Sequence, residues 1–286
     1  MPGSRARSRF FSALAALAAA NALSRPLHLA LQEGDLWGAL SQGLALNPAV
    51  LSALLLGLGG LARGQDEPPL SDADLGVGLI LLLLLLLPSA TVSWLVLAVL
   101  AGYLCRDRQL TPAQHAGAAI LLLCALREPL TSAVLDVLSV PLLALDARLA
   151  ALLLSAWSPG AHAQGNLILQ ADEVRLVVLT GCSSLVNLSY ALLFWYAASR
   201  TLYRRFPQPV WYAGLAVGGA VVALNVLRLV YMANSRAGYL LLHEGVGQYW
   251  LSSLSLLLVV GATCGGIWYA EQGRFGRAAA LAVRPG

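Results

Sequence analysis

The sequence predicts an all-α polytopic integral membrane protein of about eight transmembrane helices, and up to ten, with a short extracytoplasmic β-hairpin ahead of a cysteine. Three observations carry this expectation. The chain of 286 residues is 58% hydrophobic and only 11% charged, against about 25% charged in soluble domains. Several apolar runs approach or exceed the roughly 18 residues of a membrane span. Arginines gather in short segments between those runs, the distribution that orients spans. No polar stretch is long enough to build a soluble domain. A single membrane domain over 1–286 is therefore expected, with N-terminal helices at 10–126, an outer hairpin loop at 158–178, and helices at 179–270 that carry the reactive residues.

The elements follow from local pattern. Arg5, Arg7 and Arg9 precede an apolar run at 10–22. A basic flank before an apolar core also describes a signal peptide, but the apolar pattern resumes at 27–31, so a first span is preferred. The arginines hold the N-terminus in the cytoplasm, and the loop at 32–35 is then outside. A second span at 44–62 returns inward. The segment 63–74, with Pro68, Pro69 and several acids, is expected to be a cytoplasmic linker with solvated carboxylates. Spans at 75–88 and 91–105 form a hairpin broken at Pro88-Ser89 and closed by Arg106-Asp107-Arg108 on the cytoplasmic side. A fifth span at 113–126 ends outside at Arg127-Glu128-Pro129. The stretch 130–157 is helical in pattern but carries Asp136, Asp146 and Arg148. It either lies along the outer surface as an amphipathic helix or crosses twice as short spans.

In the second half, 166–170 and 174–178 flank Ala171-Asp172-Glu173 and are expected to pair as a hairpin. A span at 185–198 follows and ends at Arg200, Arg204 and Arg205, a cytoplasmic end. A span at 210–232 returns outward, and a last one at 248–269 leads into a cytoplasmic tail at 271–286. The glycines at 214–219 and 261–266 are expected at helix packing sites.

The four cysteines, Cys105, Cys124, Cys182 and Cys264, are scattered, so neither a metal site nor a disulfide framework is expected. The net charge of +4 gives no reason to expect nucleic acid as a partner. Cys182 stands apart from the others. It lies in Thr180-Gly181-Cys182-Ser183-Ser184, where a polar loop opens a membrane helix. The partial positive charge of a helix N-terminus favours a thiolate, the nucleophilic form of cysteine. The plainer alternative is a small inert cysteine packed under a loop.

Topology tips the balance. Cys182 begins an inward span at its outer end. Arg228 lies near the outer end of the next span, with Asn225 three residues away on the same face. His243 lies in the outer region before the span after that. A thiol nucleophile needs a base or charge partner, and acyl transfer needs a group to hold the developing oxyanion. An arginine inside a span suggests function, since inserting one is costly. The alternatives are an arginine that snorkels to headgroups or pairs with Glu244, and a histidine without a role. His28, His115 and His162 lack such partners.

At these residues the chain resembles the exosortase/archaeosortase family of polytopic membrane transpeptidases. The matching elements are Gly181-Cys182-Ser183-Ser184, Asn225-Val226-Leu227-Arg228 and His243-Glu244-Gly245-Val246-Gly247, in the family's order and with its topology, across 164–269. The N-terminal half matches only as generic spans. Ser184 stands where the family usually has glycine, and Gly181 where alanine is common. The resemblance implies that Cys182 attacks a peptide bond in the C-terminal sorting signal of a secreted protein. That signal comprises a motif, a transmembrane span and a basic tail. His243 then acts as acid/base and Arg228 as oxyanion or substrate stabiliser. It implies no cofactor, and it implies a multi-pass protein of the cytoplasmic (inner) membrane with its site on the extracytoplasmic face. Two readings compete with it. One is a transporter or exopolysaccharide assembly factor in which Arg228 is a substrate counter-ion. The other is a thiol acyltransferase acting on lipid.

Overall fold

The computed structural model describes residues 6–32, 47–63, 69–171, 173–244 and 247–282. Arg5, the loop at 33–35, the start of the expected second span at 44–46, the linker at 64–68, Asp172 of the hairpin, Gly245 and Val246 of the histidine element and Arg284 of the tail lie outside the described residues. The described chain is mostly helical and forms two compact units. One comprises Met1–Glu128 with Tyr196–Phe206, the other Pro129–Trp195 with Pro207–Gly286.

The first unit is built on helices α1 (Ala6–Gln32), α2 (Pro48–Leu61), α3 (Asp72–Leu85), α4 (Ala90–Arg106) and the first part of α5 (Pro112–Leu154). In α1 the buried apolar residues include Phe11, Leu14, Ala15, Ala18, Ala19 and Ala22. That spacing of three and four residues makes one helical stripe. In α4 the matching stripe is Ser93, Val96, Leu97, Leu100, Ala101 and Leu104, and Asn21 Nδ2 donates to Ser93 Oγ at 2.9 Å between the two helices. Glycine allows α2 and α5 to meet backbone to backbone. A Cβ on Gly117 would lie 2.5 Å from the Gly57 carbonyl oxygen, the close approach that small residues permit between apolar helices.

Segments that the charge rule sends to one side of the membrane converge in this unit. Arg7 Nε and Nη2 donate to Asp74 at 2.9 and 3.0 Å, Arg7 Nη1 donates to Asp107, and Tyr103 Oη donates to Asp74 at 2.8 Å. Asp74 also completes a capping box with Ser71 at the start of α3, which satisfies the helix N-terminus from both directions. The expectation of solvated acids at 63–74 is therefore corrected for Asp74, which is 1% exposed. It precedes the apolar run of α3 and is fixed by groups far away in sequence.

The second unit begins in the remainder of α5. Leu138 has non-helical torsions (φ −116°, ψ 15°), three residues ahead of Pro141. Proline lacks an N–H and crowds the carbonyl four residues earlier, so a kink here has a specific cause. Beyond it, Leu143, Ala147, Ala150, Ala151 and Leu154 form a buried stripe. Next comes an antiparallel sheet of β1 (Ala161–Gln164), β2 (Leu167–Gln170) and β3 (Glu173–Val177) in the order β1-β2-β3. The expected hairpin is the β2–β3 pair, and β1 is an addition. Gly165 takes a positive φ of 59° in the two-residue turn between β1 and β2, a conformation natural to glycine. β1 escaped the sequence pattern because Ala161-His162-Ala163-Gln164 contains no β-branched or aromatic residue except the histidine.

A 3-10 turn (Thr180–Cys182) leads into α6 (Ser184–Leu202), followed by α7 (Gln208–Asn234), one helical turn (Arg236–Tyr239), a π-helical turn (Leu240–Glu244) and α8 (Gly247–Ala282). The far end of α6 belongs to the first unit, where Arg200 Nη1 donates to the Tyr203 and Arg204 carbonyls at 3.0 Å each. Two of the expected glycine packing sites occur in the second unit. A Cβ on Gly214 would strike the Trp195 ring at 2.7 Å, and one on Gly266 would meet Ala213 at 2.3 Å.

The count of eight spans is corrected. Among the described residues, three helices are long and apolar enough to cross a membrane: Pro112–Leu154, Gln208–Asn234 and Trp250–Gln272. Helices α2 and α3 have 14 residues each, about 21 Å at 1.5 Å per residue, short of a hydrocarbon core of about 30 Å. Arg127-Glu128-Pro129 does not end the fifth helix, because α5 continues through it. In α6, Asn187, Ser189, Tyr190 and Ser199 dilute the apolar run. What stands is a predominantly helical protein with three long apolar helices, which marks it as membrane-associated, and a small sheet.

Candidate active site around Cys182

The second unit brings the sequence-selected residues into one neighbourhood. Cys182 is buried at the end of its 3-10 turn. It shares an apolar cluster with Ile168 and Leu176 of the sheet, Val178 just after β3, Ala147 and Leu154 of α5, and Val226, Leu229, Met232 and Ala233 of α7, against which Tyr239 and Leu242 also pack. Gly181, just before it, is exposed, and a Cβ there would meet nothing within 4 Å.

The backbone around Cys182 is tightly held. Its N–H donates to the Leu179 carbonyl at 2.8 Å, and the Ser183 N–H to that of Thr180 at 3.1 Å. Its own carbonyl accepts from Asn225 Nδ2 at 2.9 Å. Ser183 caps α6, its hydroxyl accepting from the Leu185 N–H at 3.2 Å. The sequence places the sulfur at a helix N-terminus. In the structure Cys182 lies just ahead of that helix, and it is a carboxylate that meets the helix end. Asp146 of α5 accepts from the Ser184 N–H at 2.9 Å and from the Ser184 hydroxyl at 2.6 Å. In the sequence alone Asp146 reads only as a charge that complicates a span.

Arg228 lies one turn beyond Asn225 on α7. Its Nη2 donates to the Leu242 carbonyl at 3.4 Å, which ties it to the residue before His243. The His243 ring stacks on Tyr239 with centroids 4.8 Å apart and planes 12° apart. It stands in a π-helical turn, a rare geometry that recurs at functional sites. Two polar atoms here are buried without a hydrogen-bond partner among the described residues: Arg228 Nε and His243 Nδ1. A buried polar group without a partner is uncommon and calls for a reason.

Arg228 and His243 are each joined to residues that pack on the Cys182 cluster, Arg228 through the Leu242 carbonyl and His243 through the Tyr239 ring. Among the described residues no hydrogen bond joins the Cys182 sulfur to Arg228 or His243. Contacts of this kind often form only with substrate in place, so an unliganded geometry does not count against the roles. Cys105, Cys124, Cys182 and Cys264 are all free thiols, and no group of three His, Cys, Asp or Glu among the described residues is arranged to hold a metal ion. No family model matches this chain, nor does any curated protein or any solved structure.

Proposed function

We propose that the protein is a membrane-embedded cysteine transpeptidase that cleaves the C-terminal sorting signal of secreted proteins and transfers the acyl group to an acceptor. In this reading it is a multi-pass protein of the cytoplasmic membrane, both termini are cytoplasmic, and Cys182 faces the extracytoplasmic side. The single observation that carries it is a pair of buried atoms with no hydrogen-bond partner among the described residues, Arg228 Nε and His243 Nδ1. They belong to two of the three residues selected from the sequence, and the third, Cys182, lies in an apolar cluster against which Tyr239 and Leu242 pack, the residues that His243 stacks on and Arg228 bonds to.

The chemistry balances with these three groups. Cys182 Sγ attacks the scissile carbonyl carbon as its proton passes to His243. The carbonyl oxygen takes up the electron pair, and Arg228 N–H groups stabilise it. Collapse breaks the C–N bond, and His243 returns the proton to the leaving amine, which departs with the substrate's transmembrane tail. A thioester remains on Cys182. An acceptor nucleophile then attacks it, losing its proton to His243 and restoring the thiol. Positioned acid–base transfer contributes about 10²–10⁴-fold to such reactions.

The test uses secreted proteins from the same genome that end in a short motif, one apolar span and a basic tail. Cys182→Ala abolishes their processing while the variant accumulates in the membrane at wild-type level. Cys182→Ser is nearly as inactive, because a hydroxyl is far harder to deprotonate than a thiol. Full processing by Cys182→Ala would overturn the proposal in favour of a transporter or assembly factor, in which residue 182 only packs.

A further inference from the structure

We infer that Asp146 is a positioning residue for the Cys182 turn, acting through Ser184 and Asn225. The inference rests on Cys182 being the nucleophile. Asp146 is a buried carboxylate, and both of its oxygens are used: Oδ2 accepts from the Ser184 N–H and Oδ1 from the Ser184 hydroxyl. That hydroxyl, with its proton directed at Asp146, accepts from Asn225 Nδ2 at 3.0 Å. The same Asn225 nitrogen donates to the Cys182 carbonyl, and Asn225 Oδ1 accepts from Asn187 Nδ2 at 3.4 Å. Every donor in the chain Asn187, Asn225, Ser184 therefore points one way, toward Asp146.

The direction matters. An ionised carboxylate is acceptor-only, so it sets the Ser184 proton, and the Ser184 lone pair then sets the Asn225 amide. The amide nitrogen is thereby held on the Cys182 carbonyl, which fixes the peptide that carries the nucleophile. Three elements are locked by this chain: α5, the Cys182 turn with the start of α6, and α7, which also bears Arg228. An asparagine at 146 has nearly the same shape and cannot do the same. With its oxygen toward the Ser184 N–H, its amide faces the Ser184 oxygen, and the hydroxyl proton has no acceptor. Turned over, its amide faces the Ser184 N–H, donor against donor. Asp146 thus contributes two acceptor oxygens as well as volume.

A helix cap that served stability alone would behave differently. Its loss would lower the amount of folded protein and leave the rate per folded molecule unchanged. Loss of a positioning group lowers kcat, since a displacement of about 1 Å at a reacting group costs on the order of 10²-fold.

The experiment uses the full chain purified in detergent and a peptide spanning the segment that the wild-type protein cleaves. Rates are expressed per folded molecule, counted by size-exclusion profile. Asp146→Asn is expected to lower kcat by at least about tenfold, with KM within about twofold of wild type. Ser184→Ala, which removes only the linking hydroxyl and keeps the backbone N–H on Asp146, is expected to lower kcat about fivefold. It also serves if Asp146→Asn does not fold. The double variant is expected to be no slower than Asp146→Asn, because the two residues act in one chain. Wild-type kcat in folded Asp146→Asn or in Ser184→Ala, or effects that multiply independently in the double variant, would overturn the inference while leaving Cys182 as nucleophile. A cleaving Cys182→Ala variant, or a wild-type protein that cleaves no such segment, would overturn the function and this inference together.

Discussion

Arg7 and Arg228 are both arginines on apolar helices, and their surroundings are opposite. Arg7 is fully engaged: Asp74 takes Nε and Nη2, Asp107 takes Nη1, and the guanidinium lies 5.4 Å from the centre of the Phe11 ring. Arg228 makes one long bond to a backbone carbonyl, and its Nε is buried with no partner among the described residues. A satisfied buried charge fixes architecture, because each of its three nitrogens already donates to a carboxylate. A part-satisfied one retains binding capacity for something the unliganded protein does not hold. In the first unit the ionic cluster ties α1 to α3 and to the end of α4. In the second unit the arginine bonds to the residue before a histidine whose buried Nδ1 has no partner among the described residues.

The contrast is sharpest where its expected effect is largest. Arg7→Ala strands two carboxylates in the first unit and should cost about 3–5 kcal/mol of stability, the usual penalty for breaking a buried pair from one side. Thermal unfolding in detergent measures it. Cleavage per folded molecule should stay near wild type, and a large specific loss there would undo the division between architecture and chemistry.

Arg228→Ala should do the reverse. Losing one donor to a developing oxyanion costs about 10²–10³-fold in rate, while the unfolding temperature moves little because few bonds are lost. Arg228→Lys should be almost as slow despite its charge, since a lysine has no planar fork and no Nε–H at that position. Near-normal processing by Arg228→Ala would reduce Arg228 to a packing or snorkelling residue.

The smallest effect is acid dependence. Burial alone pushes the Asp74 carboxyl up. The Arg7 guanidinium, the Ser71 N–H and hydroxyl, and the Tyr103 hydroxyl outweigh this and hold it well below the usual carboxylate range. A depressed folded value means that the stability Asp74 contributes is fully present above the unfolded value, about 3.9. It is lost as pH falls from there toward the folded value. Unfolding temperatures between pH 6 and pH 3 should therefore fall more steeply for wild type than for Asp74→Asn. Equal slopes would mean that Asp74 carries no such linkage.

The sequence made short-range features legible and hid long-range partners. Gly181-Cys182, the Asn225/Arg228 spacing on one helix face and the β2–β3 pairing all follow from periodicities within about ten residues. Asp146 bonds to Ser184 across 38 positions and Asp74 to Arg7 across 67, and no local pattern encodes such pairs. Both acids consequently read, in sequence, as solvated charge or a penalty to insertion. Ser184 is instructive for the same reason. In the sequence it is only a serine where glycine is expected, and only the fold supplies the two partners of its hydroxyl. The span count failed because apolar composition does not fix helix length: α2 and α3 are as apolar as membrane helices and stop after 14 residues.

The central claim is that Cys182 forms the covalent intermediate, and mass spectrometry of the trapped enzyme tests it most directly. Purified wild-type protein, quenched during turnover of a sorting-signal peptide, should carry an acyl adduct on Cys182 that hydroxylamine releases, as a thioester requires. Cys264, which is more exposed, should stay unmodified, and His243→Ala should slow adduct formation by at least about 10²-fold. A hydroxylamine-labile adduct on Cys105, Cys124 or Cys264, or turnover with no adduct on any cysteine, would contradict the account.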